Sequence, residues 1–184
     1  MRATIDPRRL VLLDESGTNI ATGRSQAWIQ SGTELVESRL RNRGDNLTMI
    51  GAIRASGWVT MSTWWHATTA ARFVTWIRRR LSPKLSAGDI VVIDNLAAHN
   101  HDRVEALITA RGATVHYLPP YGHDLNPIEP GWGFVKKPLR GAAPRNGRVL
   151  RRTAQRASRA IRPRHCQNRF AHAGYAVNST ERWD

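Results

Sequence analysis

Asp89-Ile90-Val91-Val92-Ile93-Asp94 is a continuous, β-branched apolar run with an acid at each end. Such a run predicts a strand buried on both faces that delivers Asp94 at its end. Downstream, Val104, Leu107 and Ile108 fall on one side of a helix predicted over about 101–111, with Gly112 as its stop. Thr114–Leu118 then reads as a second strand, ended by Pro119-Pro120. Strand, helix, strand in this order is a βαβ unit, so the two strands should lie parallel in one sheet.

Working outward, Arg9–Asp14 (RLVLLD) is another short apolar run that ends in an acid. Residues 17–60 are rich in Gly, Thr and Asn, with strand-like pieces at Glu34–Leu40 and Leu47–Ile53, and read as an antiparallel meander. Ala70, Phe73, Val74, Ile77 and Leu81 follow helical spacing, with Thr68 or Thr69 available as N-cap. Helices are expected again over 127–140 and through the Arg-rich stretch 146–161. Early antiparallel strands followed by alternating strands and helices predict an α/β fold with a mixed sheet.

The charge balance points to a polyanionic partner. In 184 residues there are 28 Lys+Arg and 14 Asp+Glu, a net charge of +14. Residues 130–180 hold 12 basic residues and no acidic one, whereas residues 1–129 hold 15 basic and 12 acidic. A solvated basic face normally mixes both signs, so the C-terminal third reads as a phosphate-binding surface for nucleic acid. Cys166 is the only cysteine, which excludes an internal disulfide and any multi-cysteine metal site. No apolar run approaches the roughly 18 residues of a membrane span, and the N-terminal apolar stretch is too short for a signal peptide. A cytoplasmic, nucleoid-associated protein is expected.

Three carboxylates invite a metal reading. Magnesium takes oxygen ligands, and a two-metal site needs several carboxylates converging on one point. Asp14 and Asp94 end two strands; if those strands are neighbours, their carboxylates can be adjacent across 80 residues of sequence. An Asp after a strand also serves as a turn former, so each alone says little. Glu129 likewise has two readings. Asn126-Pro127-Ile128-Glu129 fits a capping box, with Asn126 as N-cap, Pro127 at N1 and Glu129 at N3. Yet Ile128, Trp132, Val135 and Leu139 form one apolar stripe, while Glu129, Lys136 and Arg140 share another, which sets the acid beside two cations.

Taken in order, LLDESG (12–17), VVIDNLAAHN (91–100), YLPPYGHDLNPIEPGW (117–132) and VKKPLR (135–140) resemble the catalytic domain of bacterial insertion-sequence transposases related to mariner, in the DDE superfamily. The 34 residues between Asp94 and Glu129 match that group's separation, and the resemblance runs from Leu10 to the HAGY of His172–Tyr175. It implies an RNase H-like fold, a mixed five-stranded sheet flanked by helices. Asp14, Asp94 and Glu129 would be its catalytic acids and the ligands of two Mg²⁺ ions, with Mn²⁺ as a substitute. Asn95, His99 and Asn126 would support them; His99 suits either a phosphate contact or a loop hydrogen bond. Lys136, Lys137, Arg140, Arg151 and Arg152 would hold DNA.

The implied activity is cut-and-paste transposition: hydrolysis at an element end, then attack of the freed 3′-OH on target DNA. The expected partners are element ends and target duplex, with a homodimer in the active complex and no membrane. Residues 1–145 would form the catalytic domain and 146–184 a basic helical extension packed on it. Such transposases carry an N-terminal helix-turn-helix region; here an acid already stands at residue 14, so that region is expected to be absent or separately encoded. The Pro-Tyr-Ser-Pro usual before the acidic position is replaced by Pro119-Pro120-Tyr121-Gly122-His123. Pro130, Gly131 and Gly133 also weaken the helix that carries Glu129, predicting a frayed or late start. The alternative is a catalytically inactive DNA-binding remnant of a truncated or frameshifted element.

Overall fold

In β1 (Leu10–Thr18) successive side chains point to opposite faces, and both faces are apolar. Leu10 and Leu12 enter one core, Val11 and Leu13 the other. The same division runs through β2 (Leu47–Arg54), where Leu47, Met49 and Ile53 face the first core and Ile50 and Ala52 the second. It also runs through β4 (Ile90–Ile93), with Val92 opposed to Val91 and Ile93. The computed structural model describes residues 6–23, 30–32, 34, 44–94, 101–119 and 126–175.

The five strands are ordered β3-β2-β1-β4-β5, with β3 at Gly57–Trp65 and β5 at Thr114–Tyr117. The β1–β2 and β2–β3 pairs are antiparallel; β1–β4 and β4–β5 are parallel. The βαβ reading is therefore realised, with α2 (His101–Thr109) as its crossover and Gly112 in the left-handed region at φ 71°. An added Cβ on Gly112 would also press on Ala87 at 3.1 Å.

Two helical layers cover the sheet. On the second core lie α1 (Ala70–Trp76) and α2, which contribute Phe73, Val74, Trp76, Val104 and Ile108. Thr69 caps α1 by accepting from the Arg72 N–H, and a wider π-type turn over Ile77–Leu81 completes the helix expected there. On the first core lie α3 (Glu129–Ala142), α4 (Gly147–Arg159) and α5 (Pro163–His172). The stripe Ile128, Trp132, Val135 and Leu139 is fully buried there, together with Leu150, Ala154, Cys166 and Phe170.

Three expectations need revision. The third strand of the antiparallel part is β3, which runs through Trp64-Trp65; the piece at Glu34–Leu40 falls largely outside the described residues. The edge strand β3 keeps most of its side chains only half-buried, so its apolar periodicity is weak. The helix bearing Glu129 is continuous rather than frayed. Pro130 sits in its first turn, where a missing N–H costs nothing, and the one proline deeper inside is Pro138. Finally α5, which supplies Phe170 to the core, was not expected as a separate helix.

Candidate active site

Parallel pairing of β1 with β4 sets Leu12 beside Val92. Two residues further on, the same register brings Asp14 alongside Asp94, which directly follows β4. Asp14 lies on the same face as Leu12, the face covered by α3. Across the antiparallel pair it meets Gly51 of β2. That position must lack a side chain, because a Cβ there would lie 2.5 Å from the Trp58 ring and 3.0 Å from the Trp132 ring.

Into that slot comes Trp132, tilted against Trp58 with ring centroids 5.3 Å apart. Its indole Nε1–H donates to Asp14 Oδ2 at 2.8 Å. Glu129, the first residue of α3, lies one turn earlier. Burial first, then the nearby charge of Glu129 and, by a smaller push, that of Asp94 raise the Asp14 carboxyl to about 7. The Glu15 backbone N–H and the Trp132 indole pull the other way. The structure thus brings Asp14, Asp94 and Glu129 into electrostatic contact. Among the described residues, no group of three or more His, Cys, Asp or Glu side chains is placed to hold a metal ion.

The capping box is not what is built at the start of α3. Asn126 is buried, its Oδ1 accepts the Ile128 N–H at 3.3 Å, and its carbonyl accepts the Glu129 N–H at 3.1 Å. It therefore shapes the turn before the helix, and Glu129 sits at N1 rather than N3. Lys136, two turns along, is half-buried; desolvation and Arg140 lower its pKa, while Glu129 and Asp14 hold it up. Lys136 thus stands among the acids, with Lys137 and Arg140 exposed on the same helix. Arg151 and Arg152 are exposed on α4, where the Arg151 Nε–H donates to Thr63 Oγ1 of β3 at 3.1 Å. Asn95 and His99 lie outside the described residues.

Two groups near the acids escaped the sequence reading. One is the Trp132 hydrogen bond, which spans 118 positions. The other is a cleft of about 530 Å³ lined by Asn126, Pro127, Glu129, Pro130, Arg169, His172 and Ala173, with two cationic or polar side chains from α5. The only sequence signal for the second was the excess of arginine. For the first, Trp132→Phe supplies a test: an aromatic ring, though a smaller one, stays in the slot while the donor goes. Because that donor lowers the Asp14 pKa, the variant should move it further upward, read from the carboxyl ¹³C shift during a pH titration. An unchanged titration would mean that the indole N–H leaves the carboxylate's charge alone.

Comparison with known proteins places this geometry. The fold is similar to that of the Mos1 transposase paired-end complex with left transposon end, with TM-score 0.69 and 16% identity over 90% of this chain and 52% of that one. It is similar to the Mos1 mariner paired end complex with Mn, with TM-score 0.68 and 15% identity over 91% and 53%. The catalytic domain of Mos1 mariner transposase gives TM-score 0.62 and 13% identity over 91% and 78%. The architecture is therefore RNase H-like, and the chain spans about half the length of the transposases in those two complexes. No curated protein matches by sequence. The family model of the DDE superfamily endonucleases matches residues 9–151, from the start of β1 into α4. The chain belongs to the DDE superfamily of endonucleases.

Proposed function

We propose that this chain is the catalytic domain of a transposase, which cleaves DNA at element ends and joins the freed 3′-OH to target DNA. The observation that carries the reading is the placement of the acids: the β1–β4 register sets Asp14 alongside Asp94, and α3, tied to Asp14 through Trp132, begins at Glu129. Such crowding is costly unless a cation offsets it. The donors are oxygens only, which suits Mg²⁺ or Mn²⁺. Asp14, Asp94 and Glu129 would hold two ions, which supply Lewis acidity to the scissile phosphate and lower the pKa of the attacking water. The Mos1 structures include complexes with Mn and with Mg, which agrees with that assignment.

The chain's own residues then divide the work. Trp132 holds one Asp14 oxygen and so fixes the orientation of the carboxylate. Lys136 meets phosphate oxygens beside the acids, and Lys137 and Arg140 continue along the backbone. Asn126 fixes the turn that aims Glu129; Asn95 and His99, close after Asp94 in sequence, would support it. Residues 1–145 would be the catalytic domain, and 146–184 a basic extension that widens the DNA surface through Arg151 and Arg152. A homodimer on paired ends completes the active complex. The inactive-remnant reading is less favoured, since the helix that carries Glu129 is unbroken and anchored to Asp14.

Nicking of supercoiled plasmid by the purified chain tests the function. Product is expected in Mg²⁺ or Mn²⁺ and none in EDTA; absence of nicking under all metal conditions would favour the remnant. DNA affinity gives a second check. Phosphate contacts carry no sequence information, so two unrelated duplexes should bind alike. Affinity should fall steeply with salt, with a log–log slope of about −0.9 per neutralised phosphate. Replacing Arg151 and Arg152 with alanine should flatten that slope by up to about 1.8 for both duplexes. A preference of 100-fold or more for one duplex, about 2.7 kcal/mol, would instead reveal base readout within this chain.

A further inference from the structure

We infer that Arg169 and His172 of α5 form a subsite for a DNA backbone phosphate, directly beside Glu129. The inference rests on the DNA-cleaving reading above and adds where the strand is gripped. Arg169 is a half-buried cation on the wall of the 530 Å³ cleft that Glu129 also lines. Its guanidinium is held, not free to wander: Nη1 donates to the His165 carbonyl at 2.8 Å, and the group lies over the Phe134 ring at 5.7 Å. Nε is buried without a partner, and no ion pair reaches Arg169 among the described residues. Desolvation accordingly lowers its pKa.

A half-buried cation without a counter-ion is costly, and the sequence provides none nearby. From residue 130 to residue 180 there is no Asp or Glu. Glu129 lies in the same cleft, yet no ion pair joins it to Arg169. The space between them suits an anion that carries its own cation on the carboxylate side. Phosphate fits that description, because the part of arginine's planar fork not tied to His165 can donate to a phosphate oxygen, and a divalent ion joins phosphate to carboxylate. The positive end of α3, a helix of 14 residues, opens toward the same cleft and favours the same charge. Exposed His172 adds a ring nitrogen as a further donor or polar contact.

The test uses the full chain and a 20-base-pair duplex of arbitrary sequence. Binding is measured in EDTA and in Ca²⁺, over a range of salt, for wild type, Arg169→Gln, Arg169→Lys and His172→Ala. Losing one charge-assisted phosphate contact should cost Arg169→Gln about tenfold in affinity and reduce the salt slope by about 0.9. Arg169→Lys should keep the slope and lose part of the affinity, since a point charge replaces the fork. Because the phosphate lies beside Glu129, the loss should be larger in Ca²⁺ than in EDTA. A remote Arg152→Ala should lose equally in both. Arg169 also braces Phe134, so melting curves accompany each variant; if Arg169→Gln fails to fold, Arg169→Lys and exposed His172→Ala decide. Wild-type affinity in those two, with or without Ca²⁺, would overturn the subsite. Nicking by the wild type is scored separately, so a chain that binds through Arg169 but never nicks would reject the catalytic reading alone.

Discussion

Replacing Asp14 with asparagine should make the metal-free protein more stable at neutral and alkaline pH, although it removes a site residue. The folded chain raises this carboxyl from 3.8 to about 7, so the native state holds the proton more tightly than the unfolded chain. The stability this contributes is fully present below about pH 4 and is lost as pH rises through about 7. About three pKa units at 1.36 kcal/mol each set an upper bound of about 4 kcal/mol. Asparagine does not titrate and can still accept the Trp132 N–H, so its advantage should grow from pH 4 and level off above 7. Urea melts in EDTA at pH 5 and pH 8 would measure this. Mg²⁺ should reverse the order by stabilising wild type at pH 8 while leaving Asp14→Asn unmoved. Equal stability of both proteins at pH 8 in EDTA would remove the charge strain on which the metal assignment depends.

That strain was only half legible in the sequence. The strand ends were readable because RLVLLD and DIVVID are apolar on both faces, and such strands belong to the centre of a sheet with an acid at the edge. The stripe Ile128, Trp132, Val135 and Leu139 was readable because helical periodicity is local. The rest depended on distant parts. Asn126-Pro127-Ile128-Glu129 has every residue of a capping box, yet buried Asn126 turns the chain before the helix begins. Tertiary packing overrode the local motif and left the Glu129 carboxylate available. The Trp132 to Asp14 bond joins residues on opposite sides of the chain's midpoint, and Gly51 admits the ring from a third element. Only two fully buried residues, Cys166 and Phe170, mark the core face of α5 among many polar ones, too short a pattern to flag a helix.

The largest functional effect is expected at Asp94. Asp94→Asn is nearly isosteric, and Asp94 follows a strand whose own side chains, Val91 to Ile93, hold the sheet together without it. Folding should therefore survive. The change removes one anionic oxygen donor where Asp14 and Glu129 already crowd, and so weakens the hold on divalent ions. Metal-assisted charge stabilisation contributes several kcal/mol to such reactions. At 1.36 kcal/mol per tenfold, nicking should fall by at least about a thousandfold. DNA affinity should move the opposite way or not at all, since a negative charge beside the phosphate is gone. Paired measurements decide: nicking in Mg²⁺, and duplex binding in EDTA, for both proteins. Loss of both together would point to a damaged fold rather than a missing ligand. Equal nicking by wild type and variant would place the hydrolytic centre away from the end of β4, and with it the functional meaning of the whole carboxylate group.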